Sequence, residues 1–423
     1  MSNWRGKSLW SVSSRFVGAG LSFLLNVELA RSLSQDDLGQ FFLFLSLSWA
    51  GAIFCQWGTS FLAVKWVATA RAKGDRDSLR TSVWSLTAFT VFQSFVVATL
   101  IALVLDLPRD LLIVWASWTV AVSLQSLSPE LLRGFDDLKW ASLLTGPVPQ
   151  FFSASLVGIG WLFWGTLSFH QAAVLVIAAN LLCALIGFVL VARRAPPTLK
   201  LARYSGFFKE STPFALSLGA TFLLAQADLW VCGLLLSKEN VAVYGIAQRF
   251  VLFVSMPMMI LASIMTPTMA ELLAVKDQER LRRVLSKGAY LTSILTALVY
   301  VGGVTLGYPV IRFLFGDAYS GAYALFCILG AGQLLHAFAG LSSQLLLLAG
   351  EQKAAMRATL VAVLILLIGA WSLGQLWGPP GIAAANAIAV SVQTLWTWMA
   401  VRNRLKINTH FSWKRNETSQ KAS

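Results

Sequence analysis

Apolar residues run along this chain in long blocks, each closed by a short cluster of charged, proline or glycine residues. A helix needs about 20 mostly apolar residues to cross a bilayer, because every backbone polar group must be satisfied inside the segment. Twelve stretches meet that need, at 9–31, 39–64, 82–105, 111–130, 143–165, 171–192, 213–236, 241–267, 289–315, 322–349, 358–376 and 380–401. The breaks carry their own punctuation: "DLPRD" at 106–110, "RRAPP" at 193–197, "LSKEN" at 236–240 and "WGPPG" at 377–381. The pattern predicts an all-α polytopic membrane protein with twelve transmembrane helices.

Composition agrees. Of the 423 residues, 57% are hydrophobic and 12% charged, whereas a soluble domain carries about 25% charged residues. The formal net charge is +14, which in a soluble protein would point to a nucleic-acid partner. Its distribution says otherwise. With the N-terminus placed in the cytoplasm and alternate loops assigned inward, 27 of the 33 Lys and Arg residues fall in inward segments. Outward loops hold only Arg31, Arg109, Lys238 and Arg312, and two arginines, Arg15 and Arg249, lie within spans. Positive residues concentrate on the cytoplasmic side, so both termini are expected there, and the charge needs no nucleic acid to explain it. The four cysteines sit inside apolar runs and read as core residues, and three histidines are too few for a histidine-rich metal site. The first span is broken by Arg15, Asn26, Glu28 and Arg31 and does not read as a secretory signal. With no Gly-rich phosphate loop, no nucleotide or other cofactor is expected.

The chain also repeats itself. "LSQDDLGQF" at 33–41 lies over "LSKENVAVY" at 236–244, and "KGDRDSLR" at 73–80 over "VKDQERLR" at 275–282, at nearly one offset. A fainter match sets Gly134 over Gly350. Each match falls in the corresponding loop of the two halves. This predicts two six-helix lobes of the same orientation, one of the repeat types transporters use. The boundaries are then an N-terminal lobe over 1–192, a cationic linker over 193–212, a C-terminal lobe over 213–401 and a basic tail over 402–423.

Four stretches carry a family likeness: "LLNVELARSLSQDDLGQFFLF" across the first two spans, "LRGFDD" after the fourth, "TPFALSLGATFLLAQADLWVCGLLLSKENVAVYGIAQRF" across spans seven and eight, and "LFGDAYSGA" from 314. In order and spacing they resemble the polysaccharide (O-antigen) flippases of the multidrug/oligosaccharidyl-lipid/polysaccharide exporter superfamily, over about residues 8–400. The resemblance implies two lobes around a central cavity that opens alternately to either side. It implies a substrate made of a short oligosaccharide on undecaprenyl pyrophosphate, carried to the outer leaflet of a bacterial inner membrane. Membrane lipids and a polysaccharide polymerase machinery are the other expected partners, and the protein is expected to act as a monomer.

Charge inside a membrane is expensive and tends to face a cavity or a partner. Arg15 lies roughly 9 Å into the first span from the inner face, and Lys65 ends the second span at a comparable level. Together they form a candidate cationic mouth for the pyrophosphate, a role that suits the arginine fork; snorkelling to headgroups is the plainer account. Asp228 and Arg249 lie on consecutive antiparallel spans at a similar depth, roughly 13 Å below the outer surface. A direct ion pair is one reading. In the other, Asp228 takes a coupling proton or sodium ion and Arg249 meets the substrate's phosphate; the resemblance favours this, since relatives use an acid on the seventh helix for cation coupling and cations to line the cavity. Projected into the first half, the two positions become Leu25 and Ser46, so the fold does not require the charges. Asn26, Gln226 and Glu28 are candidate polar cavity residues, although the spacing of Glu28 and Arg31 also fits a solvated rim with an i,i+3 contact. Pro257, Pro147 and Pro149 mark candidate bends.

Two other functions compete. Cation-coupled drug efflux belongs to the superfamily's other branch. A membrane enzyme that polymerises or ligates lipid-linked sugars would need a long outward catalytic loop, and the outward connections are short.

Overall fold

A computed structural model describes residues 3–104, 108–198, 200 and 207–405. It is built from helices: α1 (Asn3–Ser32), α2 (Gln35–Gln56), α3 (Thr59–Ala72), α4 (Arg76–Val104), α5 (Arg109–Gly134), α6 (Leu138–Thr145), α7 (Pro147–Trp164) and α8 (Phe169–Arg194). They continue as α9 (Phe207–Leu235), α10 (Lys238–Ala274), α11 (Gln278–Phe315), α12 (Ala322–Phe338), α13 (Ser342–Leu348), α14 (Gln352–Trp377) and α15 (Pro379–Leu405). No strand occurs among the described residues. Eight of the helices are long and apolar enough to cross a membrane, and α12 with α13, bent by 50°, make a ninth candidate. Leu162, Phe163, Leu234, Phe313 and Leu376 each expose more than 70% of their surface. Apolar side chains so exposed suit a hydrocarbon surround and would be a liability in water.

Three predicted stretches are broken rather than continuous. The second stretch divides between α2 and α3, where Trp57 (φ 41°) and Gly58 (φ 81°) take left-handed conformations in succession. A Cβ on residue 58 would stand 2.6 Å from the Ser211 carbonyl oxygen, so the close approach of α9's first turns requires glycine here. Trp57 Nε1 donates to Thr212 Oγ1 at 3.2 Å across the same contact. The fifth stretch divides at Gly146, with Pro147 opening α7, a position where a missing N–H costs nothing. The tenth divides between α12 and α13. Pro257, by contrast, lies inside a continuous α10, and the bend its sequence suggested is no helix break.

The chain packs as two compact units, Met1–Phe222 and Leu223–Ser423, the division falling within α9. Part of the segment expected as a linker, 207–212, is therefore helix; residues 201–206, and the tail from 406 onward, lie outside the described residues. Each unit has a buried cluster made from matching elements. In the first, Leu62 and Val67 of α3, Leu86 of α4, Leu131 of α5, Leu144 of α6 and Val191 of α8 come together. In the second, Met269 of α10, Leu285 of α11, Leu345 of α13, Ala355 of α14 and Val401 of α15 do so.

The repeat is visible in the turns. Ser34 and Ser237, matched in sequence, both cap the following helix in extended conformation, accepting from the N–H of Asp37 and Asn240. At 73–75 and 275–277 the same three backbone bonds close each helix: Lys73 to Thr69, Gly74 to Arg71 and Asp75 to Ala70, then Val275 to Glu271, Lys276 to Leu273 and Asp277 to Leu272. The middle residue is left-handed in both, Gly74 at φ 70° and Lys276 at φ 56°. This is the Schellman type of C-cap, which satisfies the helix's last carbonyls internally. Asp75 and Asp277 then cap the next helix from their side chains, each at 2.9 Å.

The third match shifts. Asp136 (φ 64°), not Gly134, is the counterpart of Gly350 (φ 81°). Phe135, Asp136 and Asp137 bond to Leu131, Arg133 and Leu132, as Ala349, Gly350 and Glu351 bond to Leu345, Leu347 and Leu346. Aspartate tolerates the left-handed region better than most residues, so identity of glycine misplaced the register by two.

Candidate functional site

In the second unit α9, α10 and α15 converge on one buried acid. Asp228 of α9 has no exposed surface. Tyr244 and Gln248, one turn apart on α10, both reach it: the Tyr244 hydroxyl donates to Oδ2 at 2.8 Å, and Gln248 Nε2 lies 3.1 Å from Oδ1 and 3.2 Å from Oδ2. From α15, Asn386 Nδ2 donates to Oδ2 at 2.8 Å. The Leu229 N–H completes the shell on Oδ1 at 2.9 Å. A buried carboxylate without a cation must be held by hydrogen bonds, and here every donor is neutral. Gln248 Oε1, the other end of the same amide, is buried without a hydrogen-bond partner.

The ion pair that depth suggested is therefore not what holds Asp228. Arg249 sits half-buried on α10 beside Gln248, a rotation of about 100° away, and contributes none of the bonds to the carboxylate. Gln226, half-buried two residues before Asp228, makes none of them either. The matching positions of the first half, Leu25, Phe41 and Leu45, are apolar, and Phe41 packs its ring 5.0 Å from that of Trp118. The two halves thus share a backbone plan while one replaces a hydrocarbon contact by an acid in a cage of donors.

In the first unit the sequence candidates stay apart. Arg15 is exposed on α1. Lys65 of α3 is half-exposed and its Nζ lies 2.8 Å from Glu210 Oε2, in the first turns of α9. The cation expected to meet phosphate already has a carboxylate partner. Asn26 is buried and its Nδ2 bonds back to the Ser22 carbonyl at 2.6 Å. Glu28 is half-buried, with Oε2 shielded and without a hydrogen-bond partner. Its carboxylate faces Gly158 of α7, where a Cβ would stand 3.4 Å from Oε1.

Sequence reasoning found Asp228 but not the shell around it. One signal could have found part of it: the i,i+4 spacing of Tyr244 and Gln248 on the helix that follows Asp228. Sequence reasoning missed the network at the α2 break too. There Gln56 Nε2 donates to the Ser123 carbonyl at 2.9 Å and Ser126 Oγ at 2.7 Å, and Ser60 Oγ donates to Gln56 Oε1.

The sequence model of the polysaccharide biosynthesis protein family matches residues 5–273. The chain belongs to that family. A second model, MatE, matches 213–371 of this family member. Among solved structures, the inward-facing form of a MATE multidrug resistance transporter of the MOP superfamily is similar, at 14% identity and a TM-score of 0.70, covering 94% of this chain and 98% of that one. The lipid II flippase MurJ, inward closed, is similar at 14% identity and a TM-score of 0.72, covering 93% and 87%. A Vibrio cholerae MATE transporter follows at 13% identity and a TM-score of 0.62, covering 96% and 98%. No curated protein sequence matches the chain. The family member is thus a multi-pass membrane protein with the fold shared by transporters and flippases of the MOP superfamily.

Proposed function

We propose that the protein is a flippase that moves an undecaprenyl-pyrophosphate-linked oligosaccharide from the cytoplasmic to the outer leaflet of a bacterial inner membrane, by alternating access. It acts as a monomer with both termini in the cytoplasm and supplies a polysaccharide polymerase machinery. The observation that carries the reading is the polysaccharide biosynthesis match over 5–273, on a fold also found in a protein that flips lipid II. Arg15, Lys65 and Arg249 are the candidate cations for the pyrophosphate or an acidic sugar, and Asn26, Gln226 and Glu28 are candidate polar residues for the sugar.

Transport is coupled to a cation through Asp228, and the chemistry of its shell favours a proton over sodium. Sodium wants several oxygen ligands, and the groups turned to this carboxylate are O–H and N–H donors. A proton needs one acceptor, which Gln248 Oε1 supplies when the amide turns over. The test is a deletion strain carrying the gene or none: loss of surface polysaccharide with build-up of the lipid-linked oligosaccharide supports the flippase, and normal polymer overturns it.

The MatE match over 213–371 favours a second reading, cation-coupled drug antiport. Drug sensitivity of the deletion strain with intact surface polysaccharide would select it.

A further inference from the structure

A groove between α12 and α15 of the second unit has a different chemistry from the Asp228 cluster. It is lined by Leu335 and Phe338 of α12 and by Thr394, Leu395, Trp398 and Arg402 of α15, with a volume of about 460 Å³. Leu335 is 54% exposed and Leu395 51%, so the walls are hydrocarbon open to the outside. His336 Nδ1 and Thr394 Oγ1, 2.6 Å apart, tie the two helices together beneath it.

The groove has a length and a polarity. From Ser391, its far lining residue, to Arg402 the rise along α15 is ~16 Å, about half the ~30 Å hydrocarbon thickness of a bilayer. Its length is therefore comparable to the depth of one leaflet. Arg402 stands at one end, in the last turn of α15, with its guanidinium 5.8 Å from the centre of the Trp398 ring. A cation–π contact of this kind holds the guanidinium beside the indole, and its N–H groups suit a phosphate. Among the described residues no carboxylate pairs with Arg402, whereas Arg404, half a turn on, is paired with Glu351. A hydrocarbon slot about one leaflet long that ends in an uncompensated guanidinium matches a phospholipid, chain inward and phosphate at the mouth. The bases clustered at this helix end favour a lipid with net negative charge.

We infer that the α12–α15 groove binds one acyl chain of an anionic phospholipid, whose phosphate is held by Arg402. A polyprenyl chain, longer than one leaflet, would run past the groove's end at Ser391. The test uses the full chain purified in detergent, with retained lipids counted by native mass spectrometry after addition of phosphatidylglycerol or of diacylglycerol, which lacks the phosphate. Wild type should retain phosphatidylglycerol about tenfold better, the effect of one charge-assisted bond. Arg402→Gln should bring it down to the diacylglycerol level, and Arg402→Lys should keep most of the preference. Leu395→Trp, which fills the slot, should reduce retention of both lipids. Equal retention by wild type, or an unchanged preference in Arg402→Gln, overturns the assignment. So does displacement of phosphatidylglycerol by equimolar undecaprenyl phosphate, which would give the groove to the substrate's tail.

Discussion

Asn386 on α15 donates its side-chain amide to Asp228 on α9 at 2.8 Å, closing a contact between residues 158 apart in sequence. The bond joins the start of the second unit to its last helix, through a carboxyl group that also accepts from Tyr244 and Gln248 of α10.

Removing that donor should cost more than an ordinary surface bond. Asn386→Ala leaves one lone pair of a buried carboxylate unmet, which costs about 1–3 kcal/mol, measurable as a loss of stability in detergent. In an Asp228→Asn background the same change should cost less than about 1 kcal/mol, because the charge that needed the donor is gone. Equal losses in both backgrounds would separate Asn386 from the carboxylate.

Asp228→Asn keeps the shape of the cluster and removes its titration. In proteoliposomes, transport by the wild type should accelerate when a proton gradient is imposed and be indifferent to sodium. The variant should lose the acceleration while retaining wild-type protein levels. A gradient response that survives the change would move coupling elsewhere.

Lys65 and Glu210 make a solvent-exposed pair that contributes little to stability. If Lys65 serves the substrate's phosphate, Glu210 competes for it. Glu210→Gln should then maintain or raise surface polysaccharide, and Lys65→Gln should lower it. Arg15→Ala and Arg249→Ala should each abolish the polymer without loss of protein.

Gly381 opens α15 against the end of α14, and a Cβ there would lie 2.0 Å from the Leu373 carbonyl oxygen. Backbone cannot yield as a flexible side chain does. Gly381→Ala should cost about 1–3 kcal/mol, the usual range for overpacking, seen as a lower melting temperature and poorer accumulation in the membrane. Gly219→Ala, where a Cβ meets nothing within 4 Å, is the control and should be tolerated.

Much of the fold can be read from hydropathy alone, because a bilayer imposes one length and one backbone solution on every crossing. Each of the twelve predicted stretches is covered by one helix or by two in succession. The break at Trp57–Gly58 left no proline to betray it; its cause is Ser211, which the chain brings there only after 150 further residues. The turn at 135–137 was misregistered for a related reason, since its left-handed residue is an aspartate. Asp228 was conspicuous as an acid in an apolar span. Its shell was not, because Asn386 is one of many amides in such spans and only packing selects it. Lys65 reads as a lone cation in the same way until α9 carries Glu210 to it.

The turns at 73–75, 135–137, 275–277 and 349–351 have one more property. In each, the ending helix satisfies its own last carbonyls within the turn. The ends of α3, α5, α10 and α13 are therefore met locally, before any third helix arrives. For a chain entering a bilayer, where unmet backbone groups are costly, each of these turns leaves fewer carbonyls in need of water.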